Sequence, residues 1–88
     1  MLRLDNYTFN KNQIVLKFGD YDLSIINDGY GGDKGMYEIG VFKDRDMVEL
    51  PGVTAEGDTV RGFLSESEVD EILLKMYSIT KADPERIR

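Results

Sequence analysis

Hydrophobic and polar residues alternate on both sides of the dipeptide Gly19-Asp20. A two-residue turn at this dipeptide would fix the pairing register of its flanking segments. In that register, one face carries Ile14, Leu16 and Phe18 opposite Ile25, Leu23 and Tyr21. The other face places Lys17 opposite Asp22, which predicts a cross-strand ion pair. The pattern therefore predicts a β-hairpin with strands at 13–18 and 21–26 and one apolar face.

Shorter apolar runs predict the remaining strands. They cover 7–10, 36–43, 47–50 and 59–63. Within 36–43, Tyr37, Ile39 and Val41 share one face, because side chains alternate along a strand. The connection 27–35 holds four glycines, so we expect no regular element there.

A helix begins after Ser65, a favourable N-cap, with Glu68 three residues later as in a capping box. Helical spacing then predicts a buried stripe made of Val69, Ile72, Leu73 and Met76. The helix should cover about 66–78. A second helix start at Asp83-Pro84 has too few residues after it, so we expect a loosely ordered tail over 79–88.

Strands followed by one helix predict an α+β fold within a single small domain, residues 1–88. We expect a twisted antiparallel meander of four or five strands with the C-terminal helix packed on one face. A helix about 10 Å wide covers only two or three strands spaced about 4.8 Å apart. Apolar residues on the far face therefore remain to be covered by curling of the sheet or by a second chain, and we favour a homodimer. These residues are Val15, Ile26, Met36 and Phe42.

Composition excludes several kinds of chemistry. The chain has no cysteine and no histidine, so disulfides, thiolate metal sites and histidine bases are absent. Its net charge of −6 disfavours direct nucleic-acid binding, because phosphate backbones are repelled. No apolar run approaches the roughly 20 residues that span a bilayer. We therefore expect a cytoplasmic protein with no membrane association.

Three features could carry chemistry, and each has a plainer explanation. The glycine-rich run 29–35 lacks the order of a phosphate-binding loop and fits a flexible connection. The pairs Asp20/Asp22 and Asp44/Asp46 lack further ligands for a hard cation and fit turns. Glu38 would be either an acid in a cleft or a solvent-facing residue paired across the sheet. We expect no catalytic residue, no cofactor and no metal, and hence no enzyme.

Aromatic residues are the better candidates for contact with a partner, because tyrosine is large, stiff and polar at its tip. Tyr21 and Tyr37 are expected in or beside the core. The candidate interaction residues are Tyr7, Tyr30, Tyr77, Phe42 and Met36.

The runs Met36-Tyr37-Glu38-Ile39-Gly40-Val41, Gly57-Asp58 through Leu64, and Ser65 to Val69 resemble small uncharacterised proteins carried by tailed bacteriophages, particularly those of cyanobacteria. The resemblance covers about residues 14–76 and carries no functional residue across. It implies expression in the cytoplasm of a bacterial host and an accessory or host-interacting role.

Together these observations predict a small acidic non-enzymatic module that binds a protein partner and self-associates. The alternative is an acidic inhibitor, or DNA mimic, that docks on a basic nucleic-acid-binding protein. A carboxylate-dependent hydrolase is a third, weaker hypothesis.

Overall fold

The computed structural model describes residues 2–88 and has an α+β fold. One antiparallel sheet has the strand order β4-β3-β2-β1-β6, and β5 pairs with β3 beside β4. The strands are β1 (Gln13–Phe18), β2 (Tyr21–Ile26), β3 (Tyr37–Lys43), β4 (Asp46–Met47), β5 (Val60–Leu64) and β6 (Glu85–Arg86). One α-helix, α1 (Glu66–Thr80), packs on one face, so the predicted fold class is confirmed.

The central hairpin has the predicted register. Phe18 lies opposite Tyr21, Leu16 opposite Leu23, and the turn begins at Gly19 with φ 60°. A positive φ at the first turn position suits glycine and matches the twist of a hairpin. Five of the six predicted core side chains are fully buried, and Tyr21 packs against them while half-buried. The hairpin therefore supplies the apolar wall on which the rest of the core is built.

The predicted ion pair across this hairpin is wrong. Lys17 and Asp22 are paired in register, yet no ion pair joins them among residues 2–88. Lys17 is exposed, whereas Oδ1 of Asp22 is buried without a hydrogen-bond partner in the described structure. Holding the long Lys17 side chain in one conformation beside Asp22 would cost entropy, and an ion pair to an exposed lysine gains little energy in water.

The helix α1 follows its sequence signals closely. Ser65 Oγ accepts the N–H of Glu68 at 3.2 Å, and Glu68 Oε1 accepts the N–H of Ser65 at 2.9 Å, which completes the capping box. The helix continues two residues beyond the predicted end and stops at Lys81, which adopts a left-handed conformation. The predicted stripe is buried: Val69, Ile72, Leu73 and Met76.

Two irregular segments complete the cover of the core face beside α1. Leu4 belongs to a short 3-10 turn near the N-terminus and is buried, and its N–H donates to Asp70 of the helix at 2.6 Å. Leu50 and Val53, between β4 and β5, are also buried. Thr54 holds this second segment, since its Oγ1 accepts the N–H of Leu50 at 3.0 Å. Loops therefore bury the part of the core face that one helix is too narrow to cover.

Competition for strand edges explains two wrong predictions. The run 7–10 forms only an isolated bridge at Asn10, because β6 takes the free edge of β1. The strand predicted at 47–50 is reduced to β4, because β5 pairs with the remaining edge of β3. The segment after Asp83-Pro84, expected to be too short for a helix, contains β6, whose Glu85 pairs with Lys17. The looseness of the tail stays a prediction, although its backbone is docked on β1.

The face of the sheet opposite α1 is only half covered. Val15, Ile26 and Phe42 point to this outer face and are half-buried. Met36, predicted to share it, precedes β3 and lies beside Gly31. Coverage of the outer face by a second copy of the chain stays a prediction.

Deletion of residues 85–88 should destabilise the fold and promote association. Their side chains are exposed, so their main contribution is backbone hydrogen bonding to β1, as from the N–H of Ile87 to the carbonyl of Val15 at 2.9 Å. At about 1 kcal/mol per bond, we expect urea denaturation to show a loss of roughly 1–3 kcal/mol. Sedimentation velocity should show concentration-dependent association, because an edge strand is exposed.

The control for this deletion is Ile87→Ala, which keeps the backbone of the segment intact. It should change neither stability nor association appreciably, because Ile87 is half-exposed. A deletion variant with the same association state as the full chain would contradict the proposed protection of the β1 edge.

The capping box should make stability depend on pH. The N–H of Ser65 and then its side chain hold the pKa of Glu68 below its ordinary value of 4.5. Desolvation opposes this lowering of the pKa, and the charge of Arg61 adds the smallest contribution to it. Because the folded pKa is the lower one, this stabilisation is present above about 4.5 and is lost as pH falls through the folded value. The stability difference between the native chain and Glu68→Gln, from urea curves, should therefore shrink below pH 4.5.

The matched control is Glu66→Gln, which removes a carboxylate from the same helical turn but lies outside the capping box. If both substitutions give the same dependence on pH, the capping box is not its source.

Candidate functional site

Two aromatic rings and one lysine form an exposed cluster, which we call the aromatic patch: Tyr30, Phe63 and Lys34. The rings of Tyr30 and Phe63 are stacked, with centroids 6.4 Å apart and planes inclined by 18°. Lys34 Nζ lies 6.0 Å from the centroid of the Phe63 ring. Tyr30 is 65% exposed and Phe63 is 55% exposed, so both rings present large apolar area to solvent.

The backbone of Phe63 is strained. Its φ is 57°, in the left-handed region where bulky side chains are outliers. The cause is a register shift between β3 and β5: Tyr37 pairs with Leu64 and Ile39 with Arg61. Gly62 and Phe63 therefore oppose the single residue Glu38, which is the geometry of a β-bulge. The left-handed conformation costs about 1–2 kcal/mol, and such strain is often found at functional sites.

Close backbone approach joins the bulge to the glycine-rich loop. The N–H of Phe63 donates to the carbonyl of Tyr30 at 3.1 Å. A β-carbon on Gly62 would lie 2.6 Å from Cβ of Tyr30, and one on Gly31 would lie 3.0 Å from Cα of Phe63. A β-carbon on Gly62 would be closer to Tyr30 than real Cβ atoms come, and Gly31 also has φ 92°, which side chains rarely adopt, so both positions favour glycine. The stacked pair is thus held by its backbone rather than by burial of its rings.

The loop that carries Tyr30 contains regular structure, contrary to expectation. A 3-10 turn spans Gly32–Lys34, with Gly31 buried beneath it. Glu38 fixes the start of the loop, because its Oε1 accepts the N–H of Tyr30 at 3.2 Å. Glu38 makes no ion pair across the sheet among residues 2–88, so its interpretation as a cross-strand partner is wrong. Its side chain lines a concavity with Ile26 and Phe42 on the outer face. Its position opposite the bulge makes it the anchor of the aromatic patch.

The other candidate interaction residues lie outside the aromatic patch, at separate places in the fold. Met36 is near it, since its N–H donates to the carbonyl of Gly31 at 3.0 Å, but it is half-buried. Tyr7 packs against the core, Phe42 faces the outer side of the sheet, and Tyr77 lies on the exposed side of α1. Tyr21 and Tyr37 lie at the edge of the core, as predicted.

Phe63 is the residue of the patch that the sequence analysis missed. The strand predicted at 59–63 treats it as an ordinary alternating position. The signal was the glycine immediately before it, because a glycine inside a strand pattern often marks a bulge or a close backbone approach.

The acidic turns have an ordinary structural role. Asp44 and Arg45 both have positive φ and form the turn between β3 and β4. Within residues 2–88, no group of three or more acidic, cysteine or histidine side chains is arranged to hold a metal ion. In the same part of the chain, no helix is both long and apolar enough to cross a bilayer.

Comparison of the chain with protein-family models, with curated proteins and with solved structures finds no match.

Two substitutions of Phe63 should separate backbone strain from ring contact. Both Phe63→Gly and Phe63→Ala remove the ring, but only glycine relieves the left-handed strain. We expect Phe63→Gly to be about 1 kcal/mol more stable than Phe63→Ala in urea denaturation. Because the ring is mostly exposed, Phe63→Gly should also be close to the native chain in stability.

Phe18→Ala is the comparison for a buried phenylalanine and should cost about 3–5 kcal/mol. Equal stability of the glycine and alanine variants at position 63 would show that the bulge is not strained.

Proposed function

We propose that the protein is a small acidic, non-enzymatic protein-binding module that contacts its partner through the aromatic patch. The observation that carries the proposal is Phe63, a bulky residue held in a left-handed conformation while most of its ring is exposed. A ring in this position adds little to the core, yet its backbone conformation is costly. Selection for fold stability alone favours glycine at such a position.

The geometry of the patch suits recognition of a protein surface. Aromatic side chains are enriched among the few interface residues that carry most of the binding energy. Here the stacking of Tyr30 on Phe63 and the hydrogen bond between their backbones already restrict both side chains. Binding therefore loses less conformational entropy than it would with freely rotating rings.

The cellular setting is also part of the proposal, and it depends on the resemblance to bacteriophage proteins. The resemblance over residues 14–76 supports an accessory role in the cytoplasm of a bacterial host. The net charge of −6 supports solubility and disfavours a nucleic acid as the direct partner.

Photo-crosslinking from position 30 tests the proposed contact in cells that express the protein. A photoreactive phenylalanine analogue in place of Tyr30 should yield one dominant covalent adduct with a protein, identified by mass spectrometry. With that partner purified, Tyr30→Ala and Phe63→Gly should each raise Kd at least about tenfold, because truncating a central aromatic contact commonly costs more than 1.4 kcal/mol.

Leu74→Ala is the matched control, because Leu74 is an apolar residue on α1 with a similar exposed fraction, 57%. It should leave Kd unchanged. A partner that is lost with Leu74→Ala and retained with Tyr30→Ala would contradict the assignment of the binding surface to the aromatic patch.

A further inference from the structure

The charges around the aromatic patch narrow the chemistry of its partner. The segment 27–38, which carries Tyr30, contains three carboxylates (Asp28, Asp33 and Glu38) and one cation, Lys34. Asp28 and Asp33 are exposed, and Glu38 contacts the backbone of Tyr30 directly. On the strand that carries Phe63, Arg61 adds a second cation, which pairs with Glu68 at 3.7 Å. The attraction of cationic groups to the patch therefore comes from the net charge of −6 of the whole chain.

The ring of Phe63 already faces one cation. Lys34 Nζ lies 6.0 Å from its centroid, at the outer limit of an effective cation–π contact. Lys34 itself is exposed, so this ammonium group is weakly held and remains hydrated. A guanidinium group is planar and less strongly hydrated, and it stacks on aromatic faces better than an ammonium group does.

From this juxtaposition we infer that the aromatic patch takes an arginine side chain from a basic segment of the partner, which displaces Lys34 from the ring of Phe63. The inference rests on the proposed protein-binding function and specifies the partner's chemistry. The exposed rings supply the stacking surface, and the net charge of −6 supplies the complementary charge.

Other occupants fit the patch less well. A nucleic acid could stack its bases on the rings, but its phosphates would meet a chain of net charge −6. A purely apolar segment could cover the rings, but it would gain nothing from the net charge of −6. A basic segment that contains arginine can stack a guanidinium group on the rings and is attracted by the negative charge of the chain.

Two peptide probes of equal charge test the inference. One is a peptide of about ten residues that alternates arginine with serine, and the other has lysine at every arginine position. Titration of the labelled full chain, followed by amide chemical shifts at fixed low salt, should show the arginine peptide shifting residues 29–34 and 61–64. Its Kd should be roughly two- to fivefold lower than that of the lysine peptide, the difference expected for an exposed cation–π contact.

Variants assign the contact to particular side chains. Tyr30→Ala and Phe63→Gly should reduce the preference for arginine over lysine to about one, and Leu74→Ala should leave it unchanged. Lys34→Ala should bind the arginine peptide as tightly as the native chain or more tightly, because it removes a competing cation. A weaker affinity in Lys34→Ala would instead indicate an acidic ligand and would overturn the inference.

The peptide and crosslinking experiments fail in distinguishable ways. If both peptides bind equally while position 30 still crosslinks a protein, the arginine inference is wrong and the protein-binding function stands. If position 30 captures no protein, the proposed function itself is wrong, whatever the peptides show.

Discussion

The antiparallel register of β1, β2 and β3 is the constraint on which the rest of the structure depends. It aligns Leu16 with Leu23 and Leu23 with Val41, so that one row of apolar side chains crosses three strands. A slip of one residue would turn every one of these side chains toward solvent. The helix α1 and the segments around Leu4 and Val53 all pack on this row. If the sheet had another register, they would have no apolar face to pack against.

The same register also determines where the aromatic patch lies. Pairing of Ile26 with Glu38 points the carboxylate toward the outer face, where it accepts the N–H of Tyr30. Opposite Glu38, β5 accommodates one extra residue, and the resulting bulge brings Phe63 beside Tyr30. The patch therefore forms because β2 and β5 both pair with β3 around Glu38. Its rings are attached to backbone that the sheet holds in place.

The sequence predicts those parts of the fold whose determinants are local. The hairpin depends on a turn at Gly19 and on alternation around it, and α1 depends on a capping box and a 3.6-residue period. Both signals lie within about twenty residues, and both elements are confirmed. The short strands could not be assigned in this way, because 7–10, β4, β5 and β6 compete for only two sheet edges. That competition is decided by long-range packing, which alternation within one segment does not encode.

The candidate site shows the same division. Exposure of Tyr30 follows from its place between glycines, so the sequence could single it out. Its partner Phe63 lies far along the chain, and the contact exists only because β5 reaches β3 with a shifted register. In the sequence, the close approach of Phe63 to Tyr30 is indicated by Gly62 and Gly31, where a β-carbon would be too close to the opposite segment.

The edges of the sheet are poorly suited to pairing with strands of another chain. The aromatic patch is therefore the more suitable surface for contact with a partner. The edge strands β4 and β6 have two residues each, and β5 has five. Short edges offer little template for strand addition, and a net charge of −6 opposes approach of further copies by that route. On the outer face, Val15 and Phe42 are half-buried, and the polar side chains of Gln13 and Ser24 interrupt the apolar surface. On this surface, a strained, mostly exposed phenylalanine stacked on a tyrosine is the least expected feature, and it adds little to the fold, which is the reason for proposing a binding role.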